Sequence, residues 1–116
     1  FETLLKKHDV QLICSTRYPL GPTGLQPEMP LVKRLGGSLI VCASKGPKNV
    51  TGAEAKAGIK EFLELMKPHA DKAAEHGITL AIENHANALL YTPDSLRCWA
   101  ELNRHPALGV AFAPHH

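Results

Sequence analysis

Four short apolar runs, each separated from the next by a stretch with helical patterning, limit what this chain can fold into more than any other feature. The runs VQLICST, SLIVCAS, ITLAIE and LGVAFA begin near residues 10, 38, 78 and 108. Each is rich in β-branched or apolar side chains, as a strand buried on both faces must be. Strands that alternate with helices in this way form a parallel sheet. The spacing of the runs matches one strand–helix repeat of a roughly 250-residue eightfold barrel, so four units amount to half of one. An open doubly wound sheet alternates identically, and spacing alone leaves it open. The sequence has no G-x-G-x-x-G after a strand and no P-loop, which removes support for nucleotide binding.

Local signals mark the helices. FETLLKKHD, with Phe1, Leu4 and Leu5 on one side, reads as the last turns of a helix, and LVKRLGG as a short helix closing on Gly36-Gly37. Between the first two strands, RYPLGPTGLQPEMP is a loop by its Pro and Gly content. Thr51 and Glu54 form a T-x-x-E capping box, so a helix is expected from Gly52. Ile59, Phe62, Leu63 and Met66 continue it at helical spacing; Pro68 is expected to kink or interrupt it, and Gly77 to end it in a left-handed cap. A further helix opens with Thr92 as cap, Pro93 at its first position and Asp94 near the positive end of its dipole.

Composition excludes several function classes. The 116 residues suit one small domain, with 44% hydrophobic residues enough for a core. A net charge of +2, with Lys and Arg scattered, leaves no electrostatic footprint for nucleic acid. No apolar run approaches the ~20 residues of a membrane helix, and the N-terminus lacks the layout of a secretory signal. Cys14, Cys42 and Cys98 are odd in number and far apart, which favours reduced, packed thiols and a cytoplasmic location. The chain opens in what looks like a helix and stops just after a strand, so residues 1–116 are expected to be a single partial barrel domain truncated at both ends. Two unpaired sheet edges would then invite homo-oligomer formation.

In a parallel sheet all strand C-termini share one edge, where both barrels and open sheets place their sites. Those ends carry Ser15-Thr16-Arg17, Ser44-Lys45, Glu83-Asn84-His85 and His115-His116. Side chains alternate along a strand, so Thr79, Ala81 and Glu83 share one face while Ile78, Leu80 and Ile82 share the other. Gly109, Ala111 and Ala113 divide likewise from Leu108, Val110 and Phe112. The larger sets are expected against the helices, and Glu83 and Ala113 inward at one level. Glu83 also has a plainer reading, a carboxylate paired with Lys45 or Arg17. Asn84 and His85 have one too, as caps of the following loop, and Lys45 and Arg17 read either as phosphate holders or as solvated cations.

GITLAIENH, the preceding L-x-x-x-x-P-x-A-x-x-A-x-x-x-G helix and the following LGVAFAPHH resemble the xylose-isomerase-like barrel superfamily; LGGSLIVCASKG and VQLICSTRYPLG resemble its preceding units. The resemblance implies a (β/α)8 TIM barrel fragment, α/β in class, holding strands three to six of the family barrel. It implies that a full-length parent is a sugar or sugar-phosphate isomerase or epimerase acting by metal-assisted proton abstraction next to a carbonyl, with residues 1–116 alone expected to be inactive. A non-catalytic carbohydrate-binding barrel and an endonuclease IV-like phosphodiesterase are the alternatives. By that resemblance Glu83 is both a catalytic base and a metal ligand, and His116 a catalytic or substrate-contacting histidine. Lys45, Asn84, His85 and His115 are the further candidates for touching a small carbohydrate. For His115-His116 a tag remnant is the competing reading. The implied cofactor is a divalent metal, Mn, Mg or Zn. Ala113 stands where the family has an aspartate ligand, and a hard cation loses affinity with each carboxylate removed.

Overall fold

A computed structural model describes residues 1–116 and contains eight elements. They are α1 (Glu2–Lys7), β1 (Cys14–Thr16), α2 (Glu28–Arg34), β2 (Leu39–Ala43), α3 (Gly52–Glu75), β3 (Thr79–Glu83), α4 (Pro93–Leu102) and β4 (Leu108–Ala111). The strands form one sheet in the order β1-β2-β3-β4, every pair parallel. A doubly wound sheet reverses its strand order at a switch point, and no reversal occurs here. Sequential order with right-handed crossovers carries the connecting helices α2, α3 and α4 to the same face, as in an arc of a barrel.

Burial records that one-sided cover. Along β2 the pattern alternates, Ile40 and Cys42 buried and Leu39, Val41 and Ala43 partly open. Ile40, Cys42, Leu80 and Ile82 share one core with Ile59, Phe62 and Met66 of α3, Met29 and Val32 of α2, and Trp99 of α4. The Phe62 and Trp99 rings sit 6.1 Å apart, locking α3 to α4. Each such apolar side chain contributes about 1.5–3 kcal/mol of burial free energy, so this face organises the fold. Cys42 lies inside it, and burial pushes its thiol up to about 12. All three cysteines are free, but Cys14 on the edge strand is exposed, contrary to a packed role. No helix is long and apolar enough to cross a membrane.

Several local expectations are corrected. The first strand is confined to Cys14–Thr16, which pairs with Leu39–Val41 of β2, and Ile13 is left 71% exposed. Helix α2 begins earlier than its apolar pattern implies, at Glu28; Pro30 falls in its first turn, where a missing amide hydrogen leaves no bond unmade. Helix α3 runs unbroken through Pro68. The carbonyl that Pro68 cannot satisfy is that of exposed Glu64, which water can serve. Phe112 lies past the end of β4, 67% exposed and away from any helix.

Helix α3 begins at Gly52 as the sequence implies, yet the Thr51 side chain makes no capping bond. Gly52 has a φ of +52°, so the chain enters the helix through a left-handed turn that carries the hydroxyl off the amides it would cap. The Gly52 amide instead donates to Asp94 Oδ2 at 2.8 Å. Thr92 does cap α4, accepting from the Ser95 amide at 3.1 Å. Asp94 therefore sits in the first turn of one helix and caps another. Asp94→Ala should lower urea-unfolding stability by about 1 kcal/mol, the worth of an N-cap, while Thr51→Ala should change it by a few tenths at most. Equal effects would restore the Thr51 box.

Candidate functional site

Register places Glu83, the last residue of β3, between Ala43 of β2 and Ala111 of β4. It is the only carboxylate that ends a strand, and its neighbours in the row are two methyl groups. No cation pairs with it. Arg17 is taken by Glu28, donating from Nη2 to Oε1 at 3.0 Å while its Nε lies 3.0 Å from Oε2 but off the line of its N–H. Glu83 is half-buried, unpaired and flanked by alanines at the C-terminal edge of the sheet.

Ala113 is not level with Glu83. The ladder sets Glu83 against Ala111, and Ala113 lies two residues on, where the chain has left the strand. Asn84 holds it there. The Asn84 carboxamide, 4% exposed, accepts from the Ala113 amide at 2.6 Å and donates to the Ala113 carbonyl at 2.9 Å. These two bonds add one rung to the β3–β4 ladder, made by a side chain in place of backbone. They also fix the origin of the turn in which the His116 amide bonds the Ala113 carbonyl at 3.2 Å.

That turn brings three imidazoles together. The ring centroids of His85 and His116 are 3.9 Å apart, and those of His115 and His116 4.1 Å. His85 Nδ1 lies 2.8 Å from the Ala86 carbonyl, to which it can only donate, so Nε2 remains free. Partial burial, then the positive charges that His85 and His115 would carry, hold His116 below the ordinary histidine range, with Glu83 pulling the other way. At neutral pH His116 is a neutral imidazole, able to donate one hydrogen bond without carrying charge.

Other predicted contacts are dispersed. Lys45 is exposed and lines a hollow with Pro47, Gly58, Glu61, Phe62 and Leu65, apart from the histidines. The lysine beside His85 is Lys48, which lines a 230 Å³ hollow with Tyr18, Ser44 and Asn87. Nothing in the sequence singled out Lys48, since loop residues have no periodicity from which a facing can be read.

The residues present do not fit a divalent cation by themselves. No three His, Cys, Asp or Glu side chains are arranged to hold one, and alanines occupy the register position beside Glu83 and the position pinned by Asn84. The carboxylate chemistry that a hard ion needs is represented once.

A family model described as xylose isomerase-like TIM barrel matches residues 2–116. No curated protein sequence matches the chain significantly. Among solved structures, the probable 3-DHS dehydratase AsbF of Bacillus anthracis is similar at 17% identity and a TM-score of 0.71, over 96% of this chain and 43% of that one. A D-tagatose 3-epimerase-like protein matches at 15% identity and 0.69, over 96% and 48%. A xylose isomerase-like TIM barrel protein from Mycobacterium smegmatis, in complex with magnesium, matches at 16% and 0.68, over 98% and 44%. The chain thus spans less than half the length of each.

Two outcomes follow from the clamp and the stacked rings. Asn84→Ala strands the Ala113 amide and leaves the Ala113 carbonyl with the His116 amide alone, and should destabilise by about 1–3 kcal/mol in urea unfolding; hydrogen exchange at the Ala113 amide should quicken with it, and unchanged exchange would remove the clamp. In a proton NMR titration His116 should titrate below 6.5, moving upward in His85→Ala as a neighbouring positive charge is lost. The sign for stability is set by the unfolded chain, which takes up this proton first: the site weakens the fold as pH falls through about 6.5 and has no such effect above it.

Proposed function

The chain belongs to the xylose isomerase-like TIM barrel family, and on that premise we propose that Glu83 abstracts a proton from carbon next to the carbonyl of a small carbohydrate. The observation that carries this reading is an unpaired, half-buried carboxylate at the C-terminal rim, beside an imidazole that is neutral at neutral pH. In the step proposed, the C–H proton passes to the Glu83 carboxylate and the C–H electron pair becomes the C=C bond of an enediol. The carbonyl oxygen takes up the displaced charge, and a hydrogen bond from the His116 N–H stabilises it. Returning the proton to the neighbouring carbon, while the hydroxyl proton there passes to the former carbonyl oxygen, gives an isomer; protonation of the original carbon by solvent water on the face opposite Glu83 gives an epimer.

No step is routed through a metal, because this chain's side chains do not assemble a set for one. Asn84 acts by position, keeping His116 at the rim through Ala113. Neighbours that include an epimerase-like protein and a dehydratase support chemistry at carbon bearing an acidic hydrogen, without naming the sugar.

Incubation with a panel of aldoses, ketoses and their phosphates in deuterated water, read by loss of the C–H proton signal, tests the proposal. Exchange should occur with one substrate and fall about 10²–10⁴-fold in Glu83→Gln with the melting temperature unchanged. Exchange that survives Glu83→Gln rejects Glu83 as the base. Saturable sugar binding with no exchange in the unaltered chain would make this a carbohydrate-binding barrel instead.

A further inference from the structure

The 230 Å³ hollow beside His85 lies across the C-terminal ends of β1, β2 and β3, from Tyr18 to Ala43 and Ser44 and on to Asn87. None of its ten lining residues carries a carboxylate. Lys48 makes no ion pair, so its ammonium is uncompensated. The other polar groups there have hydrogens left to give. Ser44 Oγ accepts from the Leu90 amide at 2.9 Å and keeps its own proton for another partner. Asn87 uses its oxygen to accept from Asn49 Nδ2 at 3.1 Å, leaving its amino group free. A cavity with surplus donors, one unpaired cation and no acid selects an anion.

The rim is built in advance. Asn49 and Asn87 both hold left-handed backbone, φ 56° and 62°, a conformation that asparagine adopts more readily than other residues with a side chain. Here the two are also bonded across the loops. The Asn87 amide donates to Asn49 Oδ1 at 3.2 Å, and the Asn49 amide to the Ala88 carbonyl at 3.2 Å. The loops after β2 and β3 are thereby stitched into one frame, with Lys48 on one side and His85 on the other. Gly58 in α3 lets the frame settle: a methyl group there would approach Leu89 Cδ1 to 2.9 Å and Pro47 Cγ to 3.2 Å.

We propose that this hollow is an anion subsite that seats the phosphate or carboxylate end of the substrate, with Lys48 as its charge partner. Ala43 is the register partner of Glu83, so an anion held beside Ala43 and Ser44 places the rest of a short sugar chain alongside Glu83. The assignment of the anion to a substrate rests on the proton-transfer reading above; the anion site itself does not.

Titration of ¹⁵N-labelled protein with inorganic phosphate, followed by amide chemical shifts, is the test. Saturable shifts confined to residues 44–48 and 85–89 are expected. Lys48→Gln should weaken binding about tenfold or more, the loss of one charge-assisted contact, and Lys45→Gln should leave it unchanged. Acetate in place of phosphate separates the sources: preference for phosphate identifies a phosphorylated sugar, and comparable binding a sugar acid. No saturable shift, shifts scattered to Lys56 and Lys60, an equal response to glycerol, or no effect of Lys48→Gln would each overturn the subsite. Glu83→Gln should retain phosphate binding while losing proton exchange, so failure of the base and failure of the anion site are read separately.

Discussion

Burial of a single face of the sheet under α3 is the constraint from which the rest follows. Ile40, Cys42, Leu80 and Ile82 have nowhere apolar to go except against Ile59, Phe62 and Met66, and their period of two fixes which residues face the other way. Glu83 is one of those, because Ile82 is not. A slip of one residue in β3 would bury a carboxylate under α3 and expose its apolar set, a change costing many times the worth of any loop contact. The position of the acid at the rim is thus a by-product of packing.

What surrounds the acid is set by weaker, more particular bonds. The β3–β4 ladder stops at Ala111, and the next two residues would have no reason to hold a course without Asn84. One buried carboxamide converts a strand end into a turn that gathers His85, His115 and His116. The same economy appears between the next loops, where Asn49 and Asn87 trade side-chain bonds, and between helices, where Asp94 caps α3 from α4. Each is a polar side chain serving backbone of a distant segment, which suits a parallel fold whose neighbouring loops meet only in space.

The family pattern and this chain part at the metal. Relatives with the same barrel include one in complex with magnesium, whereas here alanine occupies the position where an aspartate ligand is expected, and imidazoles crowd the rim. An imidazole held below its ordinary range and an unpaired lysine stand at two separate points of the same edge, where the proposed reaction would draw on them for polarisation and charge attraction.

The sequence by itself determined the parallel sheet, the start of α3, the cap of α4 and the arrival of Glu83 at the C-terminal edge. All of these depend on periodicity or on residues within a few positions of one another, which a linear reading captures. Only the tertiary structure decided that Asn84 binds Ala113 backbone, that Glu28 takes Arg17, that Asp94 displaces Thr51 as a cap, and that Lys48 rather than Lys45 stands beside His85. Those contacts join residues 11 to 42 positions apart or depend on loop direction. Polar groups choose partners by distance and angle in space, and neither quantity is written in the order of the residues.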